Sequence, residues 1–370
     1  MQCLANDTVY QILINLTKDE ATSFRNTIEK TLEDFSMGSE GQYQPEPSAI
    51  SRPNGQRTLF RGFTSDASVG AKIIVEPAPV HNGKKEALHG ILILMDGNGN
   101  PTSVLGAEEV TGYRTSMNVM VPFSWRKHVD SIIIFGCGVQ ALWHARLILT
   151  LRGSEVKTIT FANRSRYKFD ELIETLSREN KTRWMSGCSF HHIDTTATDF
   201  QQQIKTCLNE VDCIFCTTPS QKALFPADYL TRRSRNGQRQ PFISAAGSWQ
   251  SDMMELDPAL LHHAIATEGG YNPVNGNAHG VVLVDDRNYS LYNSGEVVQS
   301  KIAARDMVEL GEIVSLRSGK TKPLNNQHIE LTNRFISQGF VVYKSIGVSL
   351  TDLTAANAIV ALRKKKQSQF

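Results

Sequence analysis

A short apolar run, Ser131-Ile-Ile-Ile-Phe135, passes directly into Gly136-Cys-Gly138-Val139-Gln140-Ala141 and on into Gln140–Arg152, a segment of helical composition. Gly-x-Gly-x-x-Ala between a strand and a helix is a dinucleotide-binding fingerprint. Gly136 permits the tight turn, Gly138 lets backbone approach a pyrophosphate, and the small Ala141 lets helix meet strand closely. The phosphates would lie on the helix N-terminus, where free N–H groups and the helix dipole favour anions. A lone fingerprint is weak, but the next strand, Thr158–Ala162, strengthens it. Its end is where NAD-dependent folds carry a ribose-binding acid, and here it runs into Asn163-Arg164-Ser165-Arg166. No carboxylate repels a 2′-phosphate, and Arg164 can bind one in a bidentate way. NADP(H) is therefore favoured over NAD(H).

The alternation continues through a helical Lys168–Arg178 and the apolar runs Val211–Thr217 and Phe242–Ala246. Strands this apolar, alternating with helices, imply a parallel sheet covered on both faces. Thr217 and Thr218, the hydroxyl residues closing one run, join the expected cofactor set. The block before Pro122 has a different texture. It reads as a helix over Thr22–Phe35, a Gly/Pro/Ser/Gln-rich loop over Ser36–Arg57, strands at Val69–Glu76 and Gly90–Asp96, and a turn at Asp96–Pro101. A helix over Glu108–Val121 is expected to stop before Pro122. After the parallel block come a strand, Phe340–Ser345, and a helical Leu350–Arg363. No internal repeat is visible.

Composition bounds the partners. A chain of 370 residues, 40% of them apolar and with 16 Phe, 9 Tyr and 4 Trp, supports two cores and excludes a disordered or fibrous chain. A net charge of +2 gives no global attraction to nucleic acid or an anionic membrane. The basic stretch Thr231–Gln240 lacks interleaved aromatics and reads as a solvated loop. No apolar run approaches the ~20 residues needed to cross a bilayer. Met1–Leu16 lacks the basic start and the cleavage site of a signal peptide, so a cytoplasmic protein is expected, its six cysteines reduced. Cys213 and Cys216 lie in a strand-like run rather than at a helix start, and His262-His263 has no companions at zinc spacing, so no metal is expected.

Two cations in the first block stay ambiguous on their own. Lys72, in Gly70-Ala-Lys72-Ile-Ile-Val75, suits an edge-strand solubility lysine as well as a functional one. Arg114, in Thr111-Gly-Tyr-Arg114-Thr115, could be merely solvated. Taken in order with the fingerprint, with Asn163-Arg164-Ser165, Ala246-Gly247-Ser248, Glu255-Leu256-Asp257 and Ser294-Gly295-Glu296, and with Lys344-Ser345-Ile-Gly347 and Asp352, they make the chain resemble the ornithine cyclodeaminase/mu-crystallin family over residues 69–357.

The resemblance implies an α/β homodimer. A Rossmann NADP-binding domain (123–335) would be inserted in an α+β substrate-binding and dimerisation domain (1–122 plus 336–370). It implies a small imino- or amino-acid substrate, with Lys72 and Arg114 holding its carboxylate and Lys72 near the reacting nitrogen. Thr115 would assist Gly136, Gly138, Val139 and Gln140 at the cofactor, with Asn163, Arg164 and Ser165 at the ribose, while Ser345 and Gly347 would border the nicotinamide. Three departures narrow the chemistry. Trp249 stands where cyclodeaminases carry an aspartate, so cyclisation with ammonia loss is disfavoured. Near Pro47 many members have a carboxylate-binding arginine. Arg61-Gly62 replaces the usual Met-Pro, and Arg61 is expected to supply the missing guanidinium. The expected reaction is NADPH-dependent reduction of a cyclic ketimine, Δ1-pyrroline-2-carboxylate or Δ1-piperideine-2-carboxylate. The alternatives are an open-chain amino-acid dehydrogenase, an ornithine cyclodeaminase-like enzyme, and an NADPH-dependent small-ligand binder of mu-crystallin type.

Overall fold

The computed structural model describes residues 1–79, 88–231 and 239–367. The chain forms two compact units, Met1–Arg114 together with the chain from Val348, and Thr115–Gly347. The divisions expected from sequence, at 122/123 and 335/336, differ from these. The second lies later because Val341–Lys344 is hydrogen-bonded into the parallel sheet of the second unit.

The first unit is built on a six-stranded sheet: β1 (Gln2–Leu4), β2 (Ser48–Ser51), β3 (Arg57–Thr64), β4 (Ser68–Glu76), β5 (His89–Asp96) and β6 (Pro101–Gly106), in the order β1-β6-β5-β4-β3-β2. The strands are antiparallel except where β1 joins β6. The turn chemistry at Asp96–Pro101 closes the β5–β6 hairpin. Asp96 Oδ1 accepts from the N–H groups of Asn98 and Asn100, and Gly99 adopts φ +84°. Strand alternation puts Phe63, Lys72, Leu92 and Leu105 on one face of the sheet. Helix Ser349–Gln367 packs there against β3, β4 and β5 and is backed by helix Lys18–Met37, the two joined by a Thr31–Thr354 hydroxyl bond of 2.9 Å. The longer helix starts on a capping box between Thr17 and Glu20.

Two expectations for this part of the chain are corrected. Ser36–Arg57 is not simply loop, since it holds a 3-10 turn, Glu40–Tyr43, and β2. Every residue of β2 is exposed, so its sequence carries no apolar alternation to read. Helix Ala107–Ser124 runs through Pro122 instead of ending before it. Proline in the last turn removes only one ladder bond, and Ser124 Oγ donates to the Val121 carbonyl at 2.7 Å.

The second unit holds eight parallel strands: β7 (Ser131–Phe135), β8 (Thr158–Asn163), β9 (Ser189–Asp194), β10 (Cys213–Cys216), β11 (Phe242–Ala245), β12 (Val282–Val284), β13 (Met307–Glu309) and β14 (Val341–Lys344). Their order is β13-β12-β14-β11-β10-β7-β8-β9. The stretch β9-β8-β7-β10-β11-β14 has the 3-2-1-4-5-6 order of a doubly wound dinucleotide fold, as the sequence led us to expect. Strand order reverses between β7 and β10, so the carboxyl ends of these two strands border the crevice where such folds bind ligands. Burial follows from composition: β10, β11, β12 and β14 are buried throughout, and Ile133, Ile214, Ile243 and Val342 join one apolar core. Cys213 and Cys216 are free, buried strand residues. Most of the basic stretch after Thr231 lies outside the described residues, but Arg239 pairs with Asp130 at 3.1 Å. Among the described residues no helix is long and apolar enough to cross a membrane, and no cluster of three or more His, Cys, Asp or Glu is arranged for a metal.

Candidate active site

In the first unit the site is a buried charge cluster. β4 is an interior strand and Lys72 is 2% exposed, which removes the edge-strand reading. Lys72 Nζ lies 2.8 Å from Asp352 Oδ2, and Arg114 Nε lies 2.8 Å from Asp352 Oδ1. Asp352 stands in the first turn of helix Ser349–Gln367 and is fully buried. Burial pushes the Lys72 ammonium down to about 7, with the Arg114 and Arg61 guanidiniums adding to the shift against the pull of Asp352. Burial acts to raise the Asp352 carboxyl, but Arg114 and Lys72 outweigh it and hold the group below its ordinary range. Arg61 stands directly across from Lys72 on β3, so the two side chains share a face. One carboxylate thus faces three cations. Arg114 is 4% exposed, and its Nη1 is buried without a hydrogen-bond partner. Such an arrangement suits an anionic ligand, because a buried guanidinium N–H left unpaired is costly.

The second unit assembles the remaining expected residues at the carboxyl ends of its strands, with Thr115 buried separately in helix Ala107–Ser124. Gly136 follows β7 with φ +108°, a conformation that side chains resist. A Cβ on it would come 3.0 Å from Thr217 Oγ1 and 3.1 Å from the Thr218 methyl, so the glycine turn and the end of β10 are in direct contact. Gly138 is the N-cap of helix Val139–Arg152 and offers no side-chain cap, and a Cβ there would meet nothing within 4 Å. Val139 is 56% exposed in the first turn and Gln140 is half-buried. An open cradle of backbone at an uncapped helix N-terminus fits a pyrophosphate. At the end of β8, Arg164 is exposed, Asn163 donates to the Ser165 carbonyl at 3.0 Å, and Ser165 caps helix Arg166–Glu179. Asp194, across from Asn163 on β9, is turned back onto the N–H and hydroxyl of Thr196. Trp249 is half-buried just after β11.

Sequence reasoning gave no role to the carboxylates that hold these loops. Asp285, fully buried at the end of β12, accepts from Ser345 Oγ (2.8 Å), Ile346 N (3.0 Å) and Gly347 N (2.8 Å). It thereby fixes the turn in which Gly347 takes φ +91°. Glu255 Oε1 accepts from Thr218 N at 2.6 Å, and its Oε2 accepts from Gly247 N at 2.7 Å and Ser248 N at 3.0 Å. The available signal was a charged residue within an apolar neighbourhood, which says that something is paired but not with what.

No family model matches the chain. It is 29% identical over 304 residues to an uncharacterized cyclodeaminase of Dictyostelium discoideum, covering 80% of this chain and 75% of that one. Among solved structures, the fold matches Δ1-pyrroline-2-carboxylate reductase of Thermococcus litoralis in complex with NADH and L-proline. The TM-score is 0.73 at 15% identity, over 99% of this chain and 98% of that one. It also matches iminosuccinate reductase of Paracoccus denitrificans in complex with NAD+, at a TM-score of 0.70 and 18% identity over 99% and 97% of the two chains. These homologues and neighbours are members of the ornithine cyclodeaminase/mu-crystallin family, and the resemblance carried by the motifs from Lys72 to Asp352 stands.

Proposed function

We propose that the chain is an NADPH-dependent reductase of cyclic ketimines, converting Δ1-pyrroline-2-carboxylate or Δ1-piperideine-2-carboxylate to the cyclic amino acid. The observation that carries this reading is the buried trio of Lys72, Arg114 and Asp352, with Arg114 Nη1 left for an incoming carboxylate. Similarity to reductases acting on C=N bonds supports it. In this reading the first unit binds substrate and the second binds the dinucleotide through Gly136, Gly138, Thr217 and Thr218, with Arg164 reading the 2′-phosphate and Ser345 and Gly347 bordering the nicotinamide. The bound dinucleotide supplies a hydride. The chain's own part is to hold the carboxylate with Lys72 and Arg114, orient the imine, and keep a proton at Lys72 Nζ close to the nitrogen. A lysine that titrates near neutrality can give up that proton. Trp249, where a cyclodeaminase would need an acid, offers no group to activate water.

A second reading, an open-chain imino acid bearing an extra carboxylate, is favoured by Arg61 beside Lys72 and by likeness to the iminosuccinate reductase fold. Following nicotinamide absorbance with NADPH and each substrate class separates the readings. Rapid oxidation with cyclic imines, and little with oxaloacetate plus ammonia, supports the first; the reverse supports the second. Tight NADPH binding without turnover would instead point to a ligand-binding protein.

We also propose a homodimer. The sheet face opposite Lys72 carries Phe60, Ile73 and Ile91 side by side on β3, β4 and β5, with Phe60 39% and Ile91 41% exposed. An apolar sheet face of this kind marks an association surface.

A further inference from the structure

We propose that Glu255, braced by Glu296 and Lys344, is a positioning residue for the dinucleotide, holding the ends of β10 and β11 together as one rigid rim. This rests on the dinucleotide reading above. Thr218, Gly247 and Ser248 lie just past their strands, where the sheet no longer takes their N–H groups, and all three donate to the single Glu255 carboxylate. Thr218 Oγ1 adds a fourth bond at 3.2 Å. Buried backbone donors need acceptors, and here one side chain serves two separate loops. The fit is close: a Cβ on Gly247 would lie 2.3 Å from Thr218 N and 2.6 Å from Glu255 Oε1.

A second layer holds the first. Glu296 Oε1 accepts from Glu255 N at 2.7 Å and from Ser248 Oγ at 2.6 Å. Lys344 Nζ donates to Ser248 O and Oγ and lies 3.5 Å from Glu296 Oε2. Lys344 ends β14 and precedes Ser345, so the network reaches the third loop of the rim. Two carboxylates and one ammonium, all at most 1% exposed, are an expensive filling for a sheet end that apolar side chains could occupy. Their pattern of bonds points to placement of the rim as what they supply. The link to the cofactor cradle is steric, because the Thr218 methyl and Thr217 Oγ1 fill the space that a Cβ on Gly136 would enter. A shift of Thr218 therefore reaches the glycine turn directly.

The test is dinucleotide affinity measured beside stability. Glu255→Gln turns one acceptor oxygen into an N–H donor facing backbone donors. The Kd for NADPH, from ligand fluorescence, is expected to rise about tenfold or more, while Tm without ligand falls by less than ~10 °C. A Kd within about twofold of the wild type, whatever the change in Tm, would make Glu255 merely structural and overturn the proposal. A wild-type protein that binds no dinucleotide would defeat the reading of function instead.

A measurement on the unaltered protein covers the case in which the variant fails to fold. The titratable groups facing Glu255 are Lys344, Glu296 and Cys216. Burial raises the Glu255 carboxyl to about 7, against Lys344 and the N–H of Thr218, and protonation puts a donor among the donors. Affinity for NADH, which carries no group titrating near neutrality, is expected to weaken as pH falls from about 8 to about 6. A flat profile, or a tightening, contradicts the proposal.

Discussion

Lys72 and Asp352 are 280 positions apart in sequence, yet Nζ and Oδ2 meet at 2.8 Å in the interior of the first unit. The bond joins an interior strand to the first turn of the last helix, and Arg114 shares the same carboxylate. Two directly bonded cations on one anion leave an excess of positive charge, which the carboxylate of the proposed substrate would balance.

A buried lysine kept for chemistry rather than stability has a characteristic mutational signature. Lys72→Met keeps much of the volume and removes a desolvated charge, while Arg114 still pairs Asp352. Tm is expected to hold or rise, whereas kcat/KM for a cyclic imine falls at least about a hundredfold. A variant with near-normal turnover, or one that unfolds, contradicts the catalytic role.

The depressed Lys72 titration gives a pH dependence of known sign. Below about 7 the ammonium is present to hold an anion, and above that value it is lost. Binding of pyrrole-2-carboxylate, which has no titrating amine, is therefore expected to weaken as pH rises through this value. In Lys72→Arg, whose guanidinium stays charged, the weakening should vanish. The same group acts on stability. Between about 7 and the ordinary lysine value of 10.5 the unfolded chain holds a proton that the folded chain has released, so this contribution to stability grows with pH.

Arg164 is expected to choose between the two dinucleotides. Arg164→Ala should raise KM for NADPH about tenfold or more and leave KM for NADH within about twofold, since only the former carries the 2′-phosphate. Parallel loss with both would move the phosphate contact elsewhere.

Association should depend on the open sheet face. Ile91→Asp places a charge at one end of the Phe60–Ile73–Ile91 row, at its most exposed member, without touching the Lys72 face. Light scattering is expected to show the wild type at twice the chain mass and the variant at the chain mass. A dimer unaffected by the substitution would place the interface on another surface.

Legibility in the sequence followed the range of the forces involved. Ser131–Phe135 and its glycine turn could be read because a buried parallel strand and a strand–turn–helix leave local patterns. The exposed strand Ser48–Ser51 left none, and Pro122 looked like a stop because a last-turn proline and an interior one read alike. Lys72 and Arg114 were visible as charges in apolar surroundings, but their common partner was not, since only the fold brings Asp352 to them. The same holds for Glu255 and Asp285, whose bonds go to backbone N–H groups in other loops. Nothing in residue identity announces such partners.

Transfer of the hydride can be followed by isotope. The protein is mixed with NADPH carrying deuterium at nicotinamide C4 and with Δ1-piperideine-2-carboxylate, and the product is examined by mass spectrometry. Deuterium at C2 of pipecolate, formed with NADPH and much more slowly with NADH, is the expected result. NADPH that stays bound and unoxidised, or is oxidised without label reaching the product, would contradict it.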